Sequence, residues 1–119
     1  MQESEAAIDA WLTALNALPV IDTSSITGLA VSLNVGGIRR YLTFHNRGFN
    51  WDANQIPVKF EIMLSDLNVA QSVFDAMPSA FHAFQTGHLR STGYIMRTFA
   101  VIRAFQTSDA ATADEQTPQ

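Results

Sequence analysis

Met77-Pro-Ser-Ala-Phe-His-Ala-Phe-Gln-Thr-Gly87 is followed directly by His88-Leu-Arg-Ser-Thr-Gly93 and then by Tyr94-Ile-Met-Arg-Thr-Phe-Ala-Val-Ile-Arg-Ala-Phe105. The first segment predicts a short helix that starts at Pro78 and ends at Gly87, with Phe81 and Phe84 one turn apart. The second predicts a short strand, Leu89 to Thr92, between two glycines. The third predicts an apolar helix from Tyr94 to Phe105. Helix, strand and helix therefore follow one another with almost no connecting residues.

The segment before this stretch predicts another helix, with Ser65 or Asp66 as its N-cap. Its apolar residues recur at helical spacing and share one face; they are Leu67, Ala70, Val73, Phe74 and Met77.

Alternating apolar and polar residues earlier in the chain predict four strands. The first, Leu29 to Val35, leads through Gly36-Gly37 to a second that runs from Ile38 to His45. Asn46-Arg47-Gly48 is a second turn, before a third strand from Phe49 to Asp52. A polar loop, 53–57, precedes the fourth strand, Val58 to Leu64. Because all three connections are short, the pattern predicts an antiparallel meander.

The chain begins with an amphipathic helix from about Ser4 to Leu18, which Pro19 terminates. In sum, the sequence predicts an α+β fold with a single, mostly antiparallel five-stranded sheet and helices covering one face. We expect one domain over residues 1–106. Residues 107–119 have the polar composition of a disordered tail.

Composition excludes several kinds of function. The 119 residues contain no Cys, which excludes disulfides. Their formal net charge of −4 argues against nucleic acid and anionic lipid surfaces as partners. The apolar runs are too short for stable membrane insertion. Acidic Glu3 and Glu5 stand where a signal peptide would be basic, so we expect a cytoplasmic protein.

The sequence offers no catalytic constellation. None of His45, His82 and His88 has a second His or an acid at a metal-ligand spacing. Ser24 and Ser25 lie outside any nucleophile-elbow motif. We therefore expect a protein that is not an enzyme and that carries no metal and no cofactor.

One ordered series of residues resembles the C-terminal half of sterol carrier protein 2-like domains. It consists of Pro78, Phe81, Phe84, Gly87, Leu89, Gly93 and a Met-containing last helix. The resemblance extends from Gly28 to Phe105, with the first helix in the expected place. It implies an SCP2-like fold that binds a fatty acyl, sterol or isoprenoid lipid, or another apolar small molecule, in a tunnel between sheet and helices. The residues that this resemblance places at the ligand are Phe60, Ile62, Phe74, Met77, Phe81, Phe84, Met96, Phe99 and Ile102.

One feature keeps an alternative open. The last helix is apolar nearly all round, so it needs cover on more than one side. A lipid, a second subunit or the body of the domain would each provide it. A homodimer, or an accessory interaction domain that assists an enzyme, is therefore the alternative to lipid binding. Arg97 and Arg103 interrupt this helix, as solvated side chains or as partners of a lipid carboxylate or phosphate.

Overall fold

The computed structural model of the protein describes residues 4–17, 23, 26–46 and 48–105. The predicted tail, residues 107–119, lies outside these residues, as do Leu18 and Arg47. The helices are α1 (Glu5–Asn16), α2 (Leu67–Asp75), α3 (Met77–Gln85) and α4 (Ile95–Ala104). The strands are β1 (Ala30–Val35), β2 (Ile38–His45), β3 (Gly48–Asp52), β4 (Phe60–Leu64) and β5 (Leu89–Ser91).

The strands form a single sheet in the order β3-β2-β1-β4-β5. Three neighbouring pairs are antiparallel, whereas β1 and β4 are parallel, with Val31 opposite Phe60 and Val35 opposite Leu64. The α+β class and the mostly antiparallel sheet are confirmed. The predicted four-strand meander is wrong at its last strand, because β4 pairs with β1 and not with β3.

The connection between β3 and β4 explains this difference. Residues 53–59 cross the face of the sheet that the helices leave open, and the N–H of Lys59 donates to the carbonyl oxygen of Ala30 at 2.8 Å. Beneath this crossing lies a hollow of about 400 Å³, bordered by Ser32, Arg39 and Tyr41. Ser32 is consequently buried, and its hydroxyl donates to Glu61 Oε2 at 3.3 Å. Alternating apolar and polar residues are typical of a strand with one buried face, but β1 is covered on both faces.

Glycines close the hairpin between β1 and β2 as predicted. Gly36 and Gly37 have φ of 59° and 96°, a region that favours residues without a side chain. Such a two-residue turn matches the twist of the flanking strands.

The first helix is fixed to the sheet by an apolar stripe and by polar contacts. Ser4 Oγ caps α1 by accepting from the N–H of Ala7 at 3.0 Å. The side chain of Asn16, the last residue of α1, donates to the carbonyl oxygen of Phe49 at 2.8 Å and accepts from its N–H at 3.0 Å. The buried stripe of α1 consists of Ile8, Trp11, Leu12 and Leu15.

The last three helices are held by equally specific contacts. Asp66, one of the two predicted caps, accepts from the N–H of Val69 at 2.8 Å and begins α2. Gly87, at φ 83°, follows the end of α3. Thr98 of α4 is fully buried, and its hydroxyl donates to Ser91 Oγ at 2.7 Å, which joins α4 to β5.

Candidate functional site

The nine residues predicted to contact a ligand divide into two groups in the structure. Four of them are core residues with at most 6% exposure: Phe60, Ile62, Phe74 and Ile102. The other five are at least partly exposed and belong to the last two helices, where helical spacing puts Met77 on the face of Phe81 and Phe84, and Met96 on the face of Phe99: Met77, Phe81, Phe84, Met96 and Phe99. We call this second group the α3–α4 apolar face.

Aromatic contacts hold the α3–α4 apolar face together. The ring of Phe99 on α4 lies edge-on to those of Phe81 and Phe84 on α3, with centroids 4.9 and 5.9 Å away. Such edge-to-face pairs are attractive beyond the area they bury. Yet Phe81 and Phe84 remain 47% and 45% exposed, and Met96 is 74% exposed. The three rings therefore form an ordered cluster that solvent still reaches.

Small residues explain why the large rings stay outside. The buried positions of α3 are occupied by Ala80 and Ala83, which let the helix lie close to its neighbours. The Phe residues of α3 project from the adjacent side, because Met77, Phe81 and Phe84 follow one another at spacings of four and three residues. The same sequence pattern thus gives α3 a small-residue inner face and an aromatic outer one.

The region between helices and sheet is filled by aromatic rings. Phe74 of α2 lies 5.4 Å from Trp11 and 5.2 Å from Phe105, measured between ring centroids. Phe105 in turn contacts Phe44 and Phe49 of the sheet at 6.1 and 5.6 Å. A ligand that reached Phe74 would have to displace or separate these rings.

Two hollows lined by residues that the structure describes adjoin the helices, and the larger of them was not predicted from the sequence. It is a mostly apolar groove of about 460 Å³ between α2 and α3. None of the nine predicted residues lines it. Its lining residues are Asn68, Val69, Ser72, Val73, Pro78, Ser79, His82, Ala83, Thr86 and His88. Small residues on α2 and α3 were the feature of the sequence that could have predicted this groove. Small residues are, however, equally typical of close helix packing.

The smaller hollow, about 380 Å³, lies at the start of α4, where Phe60 forms part of its wall. Lys59, Tyr94 and Arg97 also border it. Gly93 permits the close approach there, because a Cβ atom on Gly93 would lie 2.8 Å from the Cβ of Phe60. Phe60 is thus a core residue that also borders a surface hollow.

The arginines of β2 form ion pairs, whereas those of α4 form none with the residues that the structure describes. Arg40 is buried against α1, and its hydrogen bond with Asp9 raises the pKa of its guanidinium, which stays protonated. Arg39 is paired with Glu61 at 2.6 Å on the open face of the sheet. Arg97 and Arg103 of α4 are exposed, and neither forms an ion pair with a residue that the structure describes.

The structure adds two observations about site chemistry. Within the described ranges, no three His, Asp or Glu side chains are grouped so that they could hold a metal ion. None of the helices in the same part of the chain is long and apolar enough to cross a membrane.

Comparison with known proteins tests the fold. No protein-family model matches the sequence, and no curated protein sequence matches it significantly. Among solved structures, "UbiJ-SCP2 Ubiquinone synthesis protein" is similar at a TM-score of 0.66 and 16% identity, over 87% of this chain and 89% of that one. "Crystal structure of sterol carrier protein 2" is similar at a TM-score of 0.52 and 18% identity, over 88% and 91%. The chain therefore has the fold of sterol carrier protein 2-like domains.

Proposed function

We propose that the protein is a non-enzymatic module that binds a hydrophobic ligand of the fatty acyl, sterol or isoprenoid class. The observation that carries this proposal is the α3–α4 apolar face, where five of the nine residues predicted from sequence come together with their side chains partly exposed. A contiguous exposed apolar surface is typical of a site that is covered when the protein works. The two similar proteins are named as a ubiquinone synthesis protein and a sterol carrier protein, which supports a ligand of this chemical class.

The exposed rings supply enough apolar area for useful affinity. Phe81 and Phe84 each leave nearly half of their surface open to solvent. Covering those two halves would bury about 200 Å² and contribute on the order of 5 kcal/mol before the costs of association. Met96 and Phe99 add to this surface along α4.

In this proposal the apolar chain of the ligand first contacts the α3–α4 apolar face. The four buried residues of the predicted set become accessible only if α3 and α4 move away from the sheet. Phe99 is placed to control that movement, because its ring contacts both Phe81 and Phe84. The proposed tunnel would then open beneath Phe99.

Titration of delipidated protein with a fluorescent long-chain fatty acid tests the proposal. We expect saturable binding, competition by at least one sterol or isoprenoid quinone, and about tenfold weaker binding for Phe81→Ala. Tyr41→Ala is the matched control, because Tyr41 lies on the open face of the sheet and should leave binding unchanged. Lack of saturable binding with all lipid classes would contradict the proposal.

The same surface favours one second candidate, an interaction or dimerisation domain. A partner protein would cover the three rings as effectively as a lipid, and Phe99 would then act as a central anchor. Native mass spectrometry separates the two functions. A monomer with copurified lipid supports the binding module, whereas a ligand-free dimer supports the interaction domain.

A further inference from the structure

The charge of the chain is distributed unevenly. Although the whole chain carries a net charge of −4, residues 76–105 contain three arginines and no Asp or Glu. The four large apolar side chains that are most exposed in the described residues, Phe81, Phe84, Tyr94 and Met96, all belong to this segment. This segment is therefore basic and apolar, unlike the chain as a whole.

Two of these arginines lie beside the α3–α4 apolar face. Met96, Phe99 and Arg103 follow at spacings of three and four residues, so they share the outward stripe of α4. Arg97 borders Met96 on the other side of that stripe. Both guanidinium groups are exposed and without a carboxylate partner among the described residues. The acids that flank segment 76–105 in the sequence are Asp75, at the end of α2, and Asp109.

We propose that the α3–α4 apolar face, with Arg97 and Arg103 at its border, docks reversibly on an anionic lipid surface. Exposed Phe and Met side chains enter the boundary between headgroups and acyl chains, whereas guanidinium groups bind lipid phosphates. A lipid surface offers acyl chains and phosphates together, so it takes up the rings and pairs with the arginines at the same time. The combination of rings at the centre and arginines at the rim therefore matches a lipid surface best.

This inference deepens the proposed function, because a lipid carrier must meet the membrane from which it takes its ligand. The contact with the surface does not itself need a ligand in the site. Vesicle binding and ligand binding are therefore measured separately, and either can fail alone.

Cosedimentation with vesicles tests the docking surface. We expect the full chain to bind vesicles of phosphatidylcholine with 30% phosphatidylglycerol, to bind pure phosphatidylcholine much more weakly, and to lose binding as salt is raised. Because each basic residue near such a surface contributes about fivefold in affinity, Arg97→Gln with Arg103→Gln should weaken binding by roughly 25-fold.

Arg90→Gln is the matched control. Arg90 lies on β5 between Leu89 and Ser91 and points to the face of the sheet opposite the helices, so its removal should change vesicle binding by less than about twofold. Met96→Ser tests the apolar part and should weaken binding to both kinds of vesicle. Its side chain is 74% exposed, so the fold does not depend on it.

Three results would overturn the docking proposal: equal binding to neutral and anionic vesicles, no binding to either, or equal losses for the α4 variant and the Arg90 control. Fatty acid titration without vesicles is run on the wild type, on the Arg97→Gln with Arg103→Gln variant and on Arg90→Gln, but not on Met96→Ser, because Met96 belongs to the proposed ligand surface. Normal uptake by a variant that no longer binds vesicles would support the docking surface while leaving the proposed function intact. Failure of uptake in the wild type would contradict only the proposed function.

Discussion

Arg40 of β2 donates from Nε to Oδ1 of Asp9 on α1 at 2.7 Å, on the face of the sheet that the helices cover. Arg40 as a whole is 5% exposed. Its guanidinium also donates to Glu5 Oε1 at 2.8 Å and to the carbonyl oxygen of Arg39. A buried charge needs such partners, because an unpaired one is costly. This ion pair fixes the position of α1 over the sheet.

Asp9→Asn is therefore expected to lower the free energy of unfolding by about 2 kcal/mol, since Arg40 keeps its burial but loses a charged acceptor. Glu5→Gln should cost less than about 1 kcal/mol, because the side chain of Glu5 is 71% exposed. Urea unfolding measures both, with Asp75→Asn as an exposed control. Equal stability of Asp9→Asn and the control would show that Arg40 does not depend on Asp9.

Gly93→Ala is expected to destabilise the domain by about 2 kcal/mol, because the added Cβ would lie 2.8 Å from both Cβ and Cγ of Phe60. Gly28→Ala provides the comparison. Its Cβ would meet nothing within 4 Å, so only its φ of +87° costs energy, about 1 kcal/mol. The prediction is wrong if thermal melts rank Gly93→Ala as the milder change.

Phe99→Ala is expected to lower stability by about 1–2 kcal/mol, less than Ile102→Ala at about 3 kcal/mol, because Ile102 is fully buried and Phe99 only partly. Lipid uptake should follow the opposite order, with the larger loss at Phe99. Melting temperature, lipid titration and subunit mass are measured on both variants. Dissociation of a dimer by Phe99→Ala with unchanged uptake would contradict the binding module.

Truncation after Gln106 is expected to leave the melting temperature unchanged. The polar composition of residues 107–119 offers too little apolar area to offset the entropy of ordering them. A drop of more than a few degrees would show that the segment docks on the domain.

Local signals in the sequence predicted most of the elements and fewer of their pairings. Gly36-Gly37 determines a tight hairpin, and Asp66 a helix start, because both act through neighbouring residues. The position of β4 depends instead on the path of residues 53–59. A polar loop can turn back, which pairs β4 with β3, or cross the sheet, which pairs β4 with β1. Ser32 on β1 is buried because that segment crosses over it. Its residue type did not predict this, because a lone Ser in a strand is also typical of an exposed position.

For the candidate site, the sequence identified the apolar residues but not their accessibility. Phe74 and Phe81 are the same type of residue in neighbouring helices, yet Phe74 packs on Trp11 and Phe81 is nearly half exposed. That difference depends on which neighbours each helix packs against, which periodicity does not specify. Whether the nine residues contact a ligand stays a prediction.

Asn16 has a consequence for the behaviour of the protein in crowded solution. β3 is an edge of the sheet, and an edge strand with free main-chain groups recruits strands from other molecules. Because one amide side chain engages both the N–H and the carbonyl oxygen of Phe49, this residue has no free main-chain groups to offer at the edge. The opposite edge, β5, is only Leu89–Ser91 and gives little length for pairing. The end of α1 thus reduces aggregation through this edge. Asn16→Ala should promote assembly through β3 at protein concentrations where the parent protein does not aggregate.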